Sequence, residues 1–157
     1  MADVPDHVLG RSTQRTERES RTTDDRSDDD AAAGTAFARL GRLAYGGVLA
    51  FMAIDGLRNA EERAGYAESK GVPAPLPATV ASHAALLFGG VGIALWRLPA
   101  LAASAAATFF VGVTPMMHDF WTVDDDDQRQ QQQIHFLKNS ALLGAALFAL
   151  GVARADD

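Results

Sequence analysis

Residues 99–117 read PALAASAAATFFVGVTPMM, a stretch without one ionisable side chain. A helix rises ~1.5 Å per residue, so about 20 such residues cross the ~30 Å hydrocarbon core of a bilayer. The stretch also lacks the polar stripe that a water-soluble amphipathic helix presents. Three more of the same kind flank it: Phe37–Leu57, Ala78–Trp96 and Ile134–Ala153. Ala78–Trp96 carries no formal charge, its His83 being neutral at pH 7. A water-soluble four-helix bundle would need polar outer faces, and these stretches have none. The expected fold class is all-α: an integral membrane four-helix bundle with a disordered N-terminal tail, embedded in the lipid bilayer.

The tail is made of different material. The first 30 residues hold five Arg and nine acids, with only Val4, Val8 and Leu9 as large aliphatics and no aromatic residue. Such a segment cannot bury enough apolar surface to offset its chain entropy. The domain division is therefore a charged tail over 1–34 and a four-span domain over 35–157. No apolar stretch follows a basic start within the first 30 residues, so the tail does not read as a signal peptide. The mean hydropathy of −0.02 averages over these two materials.

Charge and cysteine usage narrow the function classes. There are 14 Lys+Arg against 20 Asp+Glu in 157 residues, a formal net charge of −6. Nucleic acid is excluded as a partner, because phosphate recognition wants a basic surface. The absence of cysteine removes disulfides, thiolate metal sites and cysteine nucleophiles. Twelve of the basic residues are Arg and two are Lys, and acids outnumber bases. That is the bias expected of a salt-loving organism's chain.

The links and the small residues suggest how the helices meet. Arg97-Leu98-Pro99 reads as a tight turn, making the second and third spans antiparallel neighbours. The Pro-rich segment Gly71–Pro77 reads as extended, because proline fixes φ and lacks a donor. Asp124–Asp127 and the glutamine-rich run to Gln133 read as a solvated loop. Ala100, Ser104, Thr108 and Gly112 recur every four residues, as do Ala141, Ala145, Ala149 and Ala153. Ala85 and Gly89 form a shorter row. Such rows allow close backbone approach in lipid, so they are the expected packing faces, and a homo-oligomer could use them too.

Four spans put both termini on one side of the membrane, side A, with the Arg97 turn. Basic residues near the membrane number five on each side: Arg26, Arg39, Arg42, Arg97 and Arg154 against Arg58, Arg63, Lys70, Arg129 and Lys138. The positive-inside rule does not decide between them. The long charged tail, which is costly to move across, argues for both termini in the cytoplasm.

Ionisable residues at membrane depth are the default candidates for function. The side B ends gather a mixed set, while the side A ends hold only arginine, which can snorkel. Asp55, Arg58 and Asn59 share one helix face, and His135, Lys138 and Asn139 repeat that spacing. Asp55 could pair with Arg58, or with Lys138 across the bundle. Two readings stand open: a clamp at the helix ends, or a polar pocket. In the pocket reading Asp55, His118, Trp121, His135, Lys138 and Asn139 are the candidate binding residues, with quinone as the candidate cofactor. A histidine would hydrogen-bond its head group beside the Phe120 and Trp121 walls. Haem or a metal is disfavoured, since His83, His118 and His135 lie on different helices with no H-x3-H spacing. Tyr45 and Met52 read as packing or lipid residues.

Several motifs in order give the stretch Gly41–Ala153 a family likeness. They are Ala53-Ile54-Asp55-Gly56-Leu57-Arg58-Asn59, Tyr66–Pro73, Leu87-Phe88-Gly89-Gly90-Val91-Gly92, His118-Asp119-Phe120-Trp121, Phe136-Leu137-Lys138-Asn139 and Leu143-Gly144-Ala145-Ala146. This stretch resembles the DoxX family of small four-helix membrane proteins. The positions that match include Gly56, Gly71, Pro73, His118, Phe120, Trp121, Lys138 and Asn139. The resemblance implies a multi-pass plasma-membrane protein. Some relatives are subunits of a thiosulfate:quinone oxidoreductase and others associate with redox-stress proteins, so a partner oxidoreductase subunit is implied as well. The family supplies no catalytic motif to carry over. The alternative function is a non-catalytic membrane scaffold or interaction protein.

Overall fold

The structure, a computed structural model, describes residues 35–155. The expected disordered tail lies outside the described residues. The elements are α1 (Thr35–Arg58), α2 (Ala60–Ser69), α3 (Pro75–Leu95), α4 (Pro99–Met117), a 3-10 turn (Phe120–Thr122) and α5 (Asp126–Ala155). No strand occurs among the described residues. Four helices, α1, α3, α4 and α5, are long and apolar enough to cross a membrane. Their outward faces carry Phe51, Val91, Val111, Leu147 and Phe148, with Phe148 75% exposed. An apolar surface on every long helix suits hydrocarbon rather than water. With four such helices among the described residues, the chain is a multi-pass membrane protein.

The described residues fall into two units, which divide between Leu40 and Gly41. Of the first unit, the described part is Thr35–Leu40, helical and exposed throughout. In the second unit the core is built on Leu49, Leu86, Ile93 and Phe110, all fully buried. The long helices meet where side chains are absent. A Cβ on Gly90 of α3 would sit 2.6 Å from the Ala50 backbone nitrogen of α1. One on Gly89 would sit 2.9 Å from the Ala102 carbonyl oxygen of α4, and one on Gly92 2.5 Å from the Ala102 Cβ. The Tyr45 hydroxyl donates to the Leu142 carbonyl at 2.6 Å and ties α1 to α5, a packing role. Close approach of this kind is what holds helices together in lipid.

The four-residue rows are only partly these faces. On α4 the buried residues include Ala102, Ala103, Ala106, Ala107 and Phe110, whereas Thr108 and Gly112 are exposed. The Ser104 and Thr108 hydroxyls donate back to the carbonyls of Ala100 and Ser104, both at 2.8 Å. On α5, Ala149 and Ala153 pack while Ala141 is exposed, and on α3 Gly89 packs while Ala85 is exposed. An alanine-rich helix carries several such rows, and the rotation that buries Phe110 selects another.

The links differ from expectation in two places, and a short helix precedes the first of them. Ala60–Ser69 forms the short polar helix α2, with Glu61 and Glu62 favourably placed in its first turn and only Ala64 and Ala67 buried. Only Gly71–Ala74 of the Pro-rich segment is non-helical. Pro75 and Pro77 stand in the first turn of α3, where the missing N–H groups would have no intrahelical partner. The acidic and glutamine-rich run is mostly the start of α5 rather than a loop. Asp125 accepts from the Gln128 N–H at 2.8 Å, a side-chain cap, and glutamine is a good helix former. The α3–α4 turn is tight as expected, with Trp96 and Leu98 both left-handed at φ 52° and 51°. The Arg42 guanidinium sits over the Trp96 ring, 4.5 Å from its centroid.

Candidate functional site

The side B ends of the helices form a half-open cavity of about 890 Å³. Its deeper wall is mainly apolar, with Met52 of α1, Leu86 of α3, and Phe109 and Val113 of α4, and His83 is the polar residue among them. Its outer wall is polar, with Asp55, Asn59, Arg63, Ser82, His118, His135 and Asn139. The apolar part lies toward the middle of the long helices and the polar part toward their side B termini.

Four of the six expected binding residues line this cavity: Asp55, His118, His135 and Asn139. Trp121 and Lys138 do not. Trp121 is exposed and belongs to an aromatic cluster with Phe120 and Phe136, centroids 5.1 and 5.9 Å away. Lys138 lies on the exposed face of α5. Helix rotation separates Lys138 from Asn139, which adjacency in sequence cannot reveal.

Asp55 pairs with neither Arg58 nor Lys138. Its carboxylate accepts from Arg63 at 2.5 Å and from the Asn59 amide at 3.1 Å. The chain turns at Asn59, and α2 brings Arg63 back across the end of α1. A second ion pair holds the other end of α2. The Lys70 ammonium meets Asp119 at 2.5 Å, and the Tyr66 hydroxyl donates to the Met117 carbonyl at 3.2 Å. The Asp119 hydrogen bond raises the Lys70 pKa above its ordinary 10.5. Thus α2, with Arg63, Tyr66 and Ala67 on the cavity wall, is a strap fastened to α1 at one end and α4 at the other.

The histidines fall into two arrangements. His118 and His135 stack, with ring centroids 5.2 Å apart and planes 16° from parallel. His118 Nδ1 lies 2.8 Å from Gln132 Oε1, a partner brought within reach because the glutamine run is helical. His83 is the deeper one, 9% exposed, and its ring meets Phe109 edge-on at 5.4 Å between centroids. A Cβ on Gly56 would overlap the His83 ring, so glycine there is what admits the imidazole beside α1. His83 lies outside the expected binding set. Its signal in the sequence is a lone ionisable residue in an otherwise uncharged span. Among the described residues no three His, Asp or Glu side chains gather in a metal-binding group.

The fold and cavity together define a class: a multi-pass membrane protein with four long apolar helices among its described residues and an amphiphilic cavity at one end, strapped by a short polar helix. No protein-family model, curated protein or solved structure matches the chain.

Proposed function

We propose that this protein is a membrane subunit that binds a quinone-type head group in the side B cavity and serves a quinone-linked redox complex. The observation that carries the reading is the cavity's polarity gradient. An aromatic and thioether wall meets a rim of histidines, an asparagine and an ion pair, matching a flat ring with polar oxygens and an apolar tail. The likeness of Gly41–Ala153 to DoxX sequences supports the same reading and rests on the motif residues alone. It also motivates a plasma-membrane location and an oxidoreductase partner. Cytoplasmic termini follow from the charge of the tail, and labelling of single introduced cysteines from either side tests them.

The test is extraction of quinone from detergent-purified protein, followed by titration with a short-tailed benzoquinone. The expected result is saturable binding, weakened about tenfold or more in Asn139→Ala and in Val113→Trp, which fills the cavity. Absence of both extracted quinone and saturable binding overturns the reading. A second reading, a scaffold without a ligand, is favoured by the Asp55–Arg63 and Lys70–Asp119 pairs, which tie three helices at this end. In that case the cavity variants change stability and nothing else.

A further inference from the structure

The buried histidine carries a more specific inference, which rests on the quinone reading above. His83 Nδ1 lies 2.8 Å from the Thr79 carbonyl oxygen. A carbonyl can only accept, so Nδ1 carries the hydrogen and donates it. The Ser82 hydroxyl, 3.5 Å from the same nitrogen, donates to that carbonyl at 3.0 Å and leaves the assignment unchanged. In the neutral ring Nε2 is then a bare lone pair. It has no hydrogen-bond partner among the described residues, and His83 is one of the residues that line the cavity. The ring cannot readily turn to offer a donor instead. Phe109 sits edge-on to it, Gly56 of α1 lies close to its Cδ2, and a flip would forfeit the Thr79 bond.

We propose that His83 makes the cavity selective for the reduced, hydroxyl-bearing form of its ligand: Nε2 accepts a hydrogen bond from a hydroquinone O–H. A quinone carbonyl in the same place would set two acceptors against each other in an apolar wall, and a buried acceptor left unpaired is costly. The donors that a quinone carbonyl needs lie elsewhere on the rim, at Arg63 and Asn139, so the discrimination belongs to the inner end of the cavity.

The experiment is anaerobic equilibrium binding of a short-tailed benzoquinone, its hydroquinone and the hydroquinone dimethyl ether to the full chain in detergent. The expected result is hydroquinone binding about tenfold tighter than either other form, the worth of one good hydrogen bond. In His83→Phe, a ring of similar shape without the acceptor, the three affinities converge to within about threefold. The ether keeps the test independent of any variant's folding, since it removes only the ligand's donor. Equal binding of hydroquinone and ether to the wild-type protein overturns the inference while leaving the quinone reading intact. Failure of all three to bind overturns both.

Discussion

The two ends of the bundle are built from opposite material. Toward the α3–α4 turn, Gly89, Gly90 and Gly92 lie against Ala102, Ala106, Gly46 and Ala50, and the helices close on one another. Toward side B the same helices carry His83, Leu86, Phe109 and Met116, and they form a half-open cavity of about 890 Å³. Glycine lets the backbones approach at the closed end, whereas larger side chains stand between the helices at the open end. Charge follows the same division. Among the described residues the side A ends carry only arginines, whereas side B mixes acids, bases and histidines.

The largest effect should come from breaking the closed end. Gly90→Leu drives a side chain into the Ala50 backbone, and overpacking of this kind costs about 1–3 kcal/mol or more. We expect loss of the folded monomer in a detergent thermal-unfolding assay. Gly144→Leu, on the exposed face of α5 with nothing within 4 Å of its Cβ, should stay within about 0.5 kcal/mol of wild type. Equal damage from both would mean that this face of α5 also packs, against a second copy.

Gly56→Ala is the matching change at the open end. The added methyl overlaps the His83 ring, which has a cavity to retreat into. The expected stability loss is about 1–2 kcal/mol, smaller than for Gly90→Leu, with a larger loss of ligand binding. A stability loss as large as that of Gly90→Leu would mean that the open end is packed as tightly as the closed one.

Thr114→Val sharpens the comparison in the opposite direction. Thr114 is 4% exposed and its hydroxyl oxygen is buried without a partner. Replacing it with an isosteric methyl should leave stability unchanged or raise it by up to about 1 kcal/mol. Destabilisation by more than that would reveal a hydrogen bond that the static arrangement does not contain.

The smallest effect concerns the strap. The Lys70 pKa is raised above 10.5 by its hydrogen bond to Asp119. Above the acid range in which the Asp119 carboxyl is protonated, the stability that this pair contributes is fully present up to pH 10.5 and is lost as pH rises through the higher folded Lys70 value. Alkaline titration of the melting temperature should show this loss in the wild-type protein and a flatter curve in Lys70→Met. The exposed Arg129–Asp126 pair is a control whose removal should change little.

Much of the site is legible in the sequence, but not all of it for the same reason. Asp55, His118, His135 and Asn139 can be grouped from topology alone, because four spans force these helix ends into one leaflet. Lys138 and Trp121 share that leaflet but miss the cavity, since leaflet is set by chain count and facing by rotation. Arg63 stays hidden because α2 is too polar and too short to announce itself by periodicity. The glutamine run looks like loop because it extends beyond the bilayer, although its residues favour helix.

What the amino-acid sequence determined by itself is the number, length and apolarity of the membrane helices. Those depend on each segment's own transfer into lipid and on backbone hydrogen bonds closed within the segment. What only the tertiary structure decided is which face of each helix turns inward. Gly89 and Gly92 were selected over Ala85, Ala102 and Ala106 over Ser104 and Thr108, and His83 was turned onto the cavity wall with its Nδ1 committed to Thr79. In a helix made largely of alanine, glycine and leucine, many faces are nearly equivalent to the surrounding lipid. The choice among them rests on how closely two particular backbones can approach.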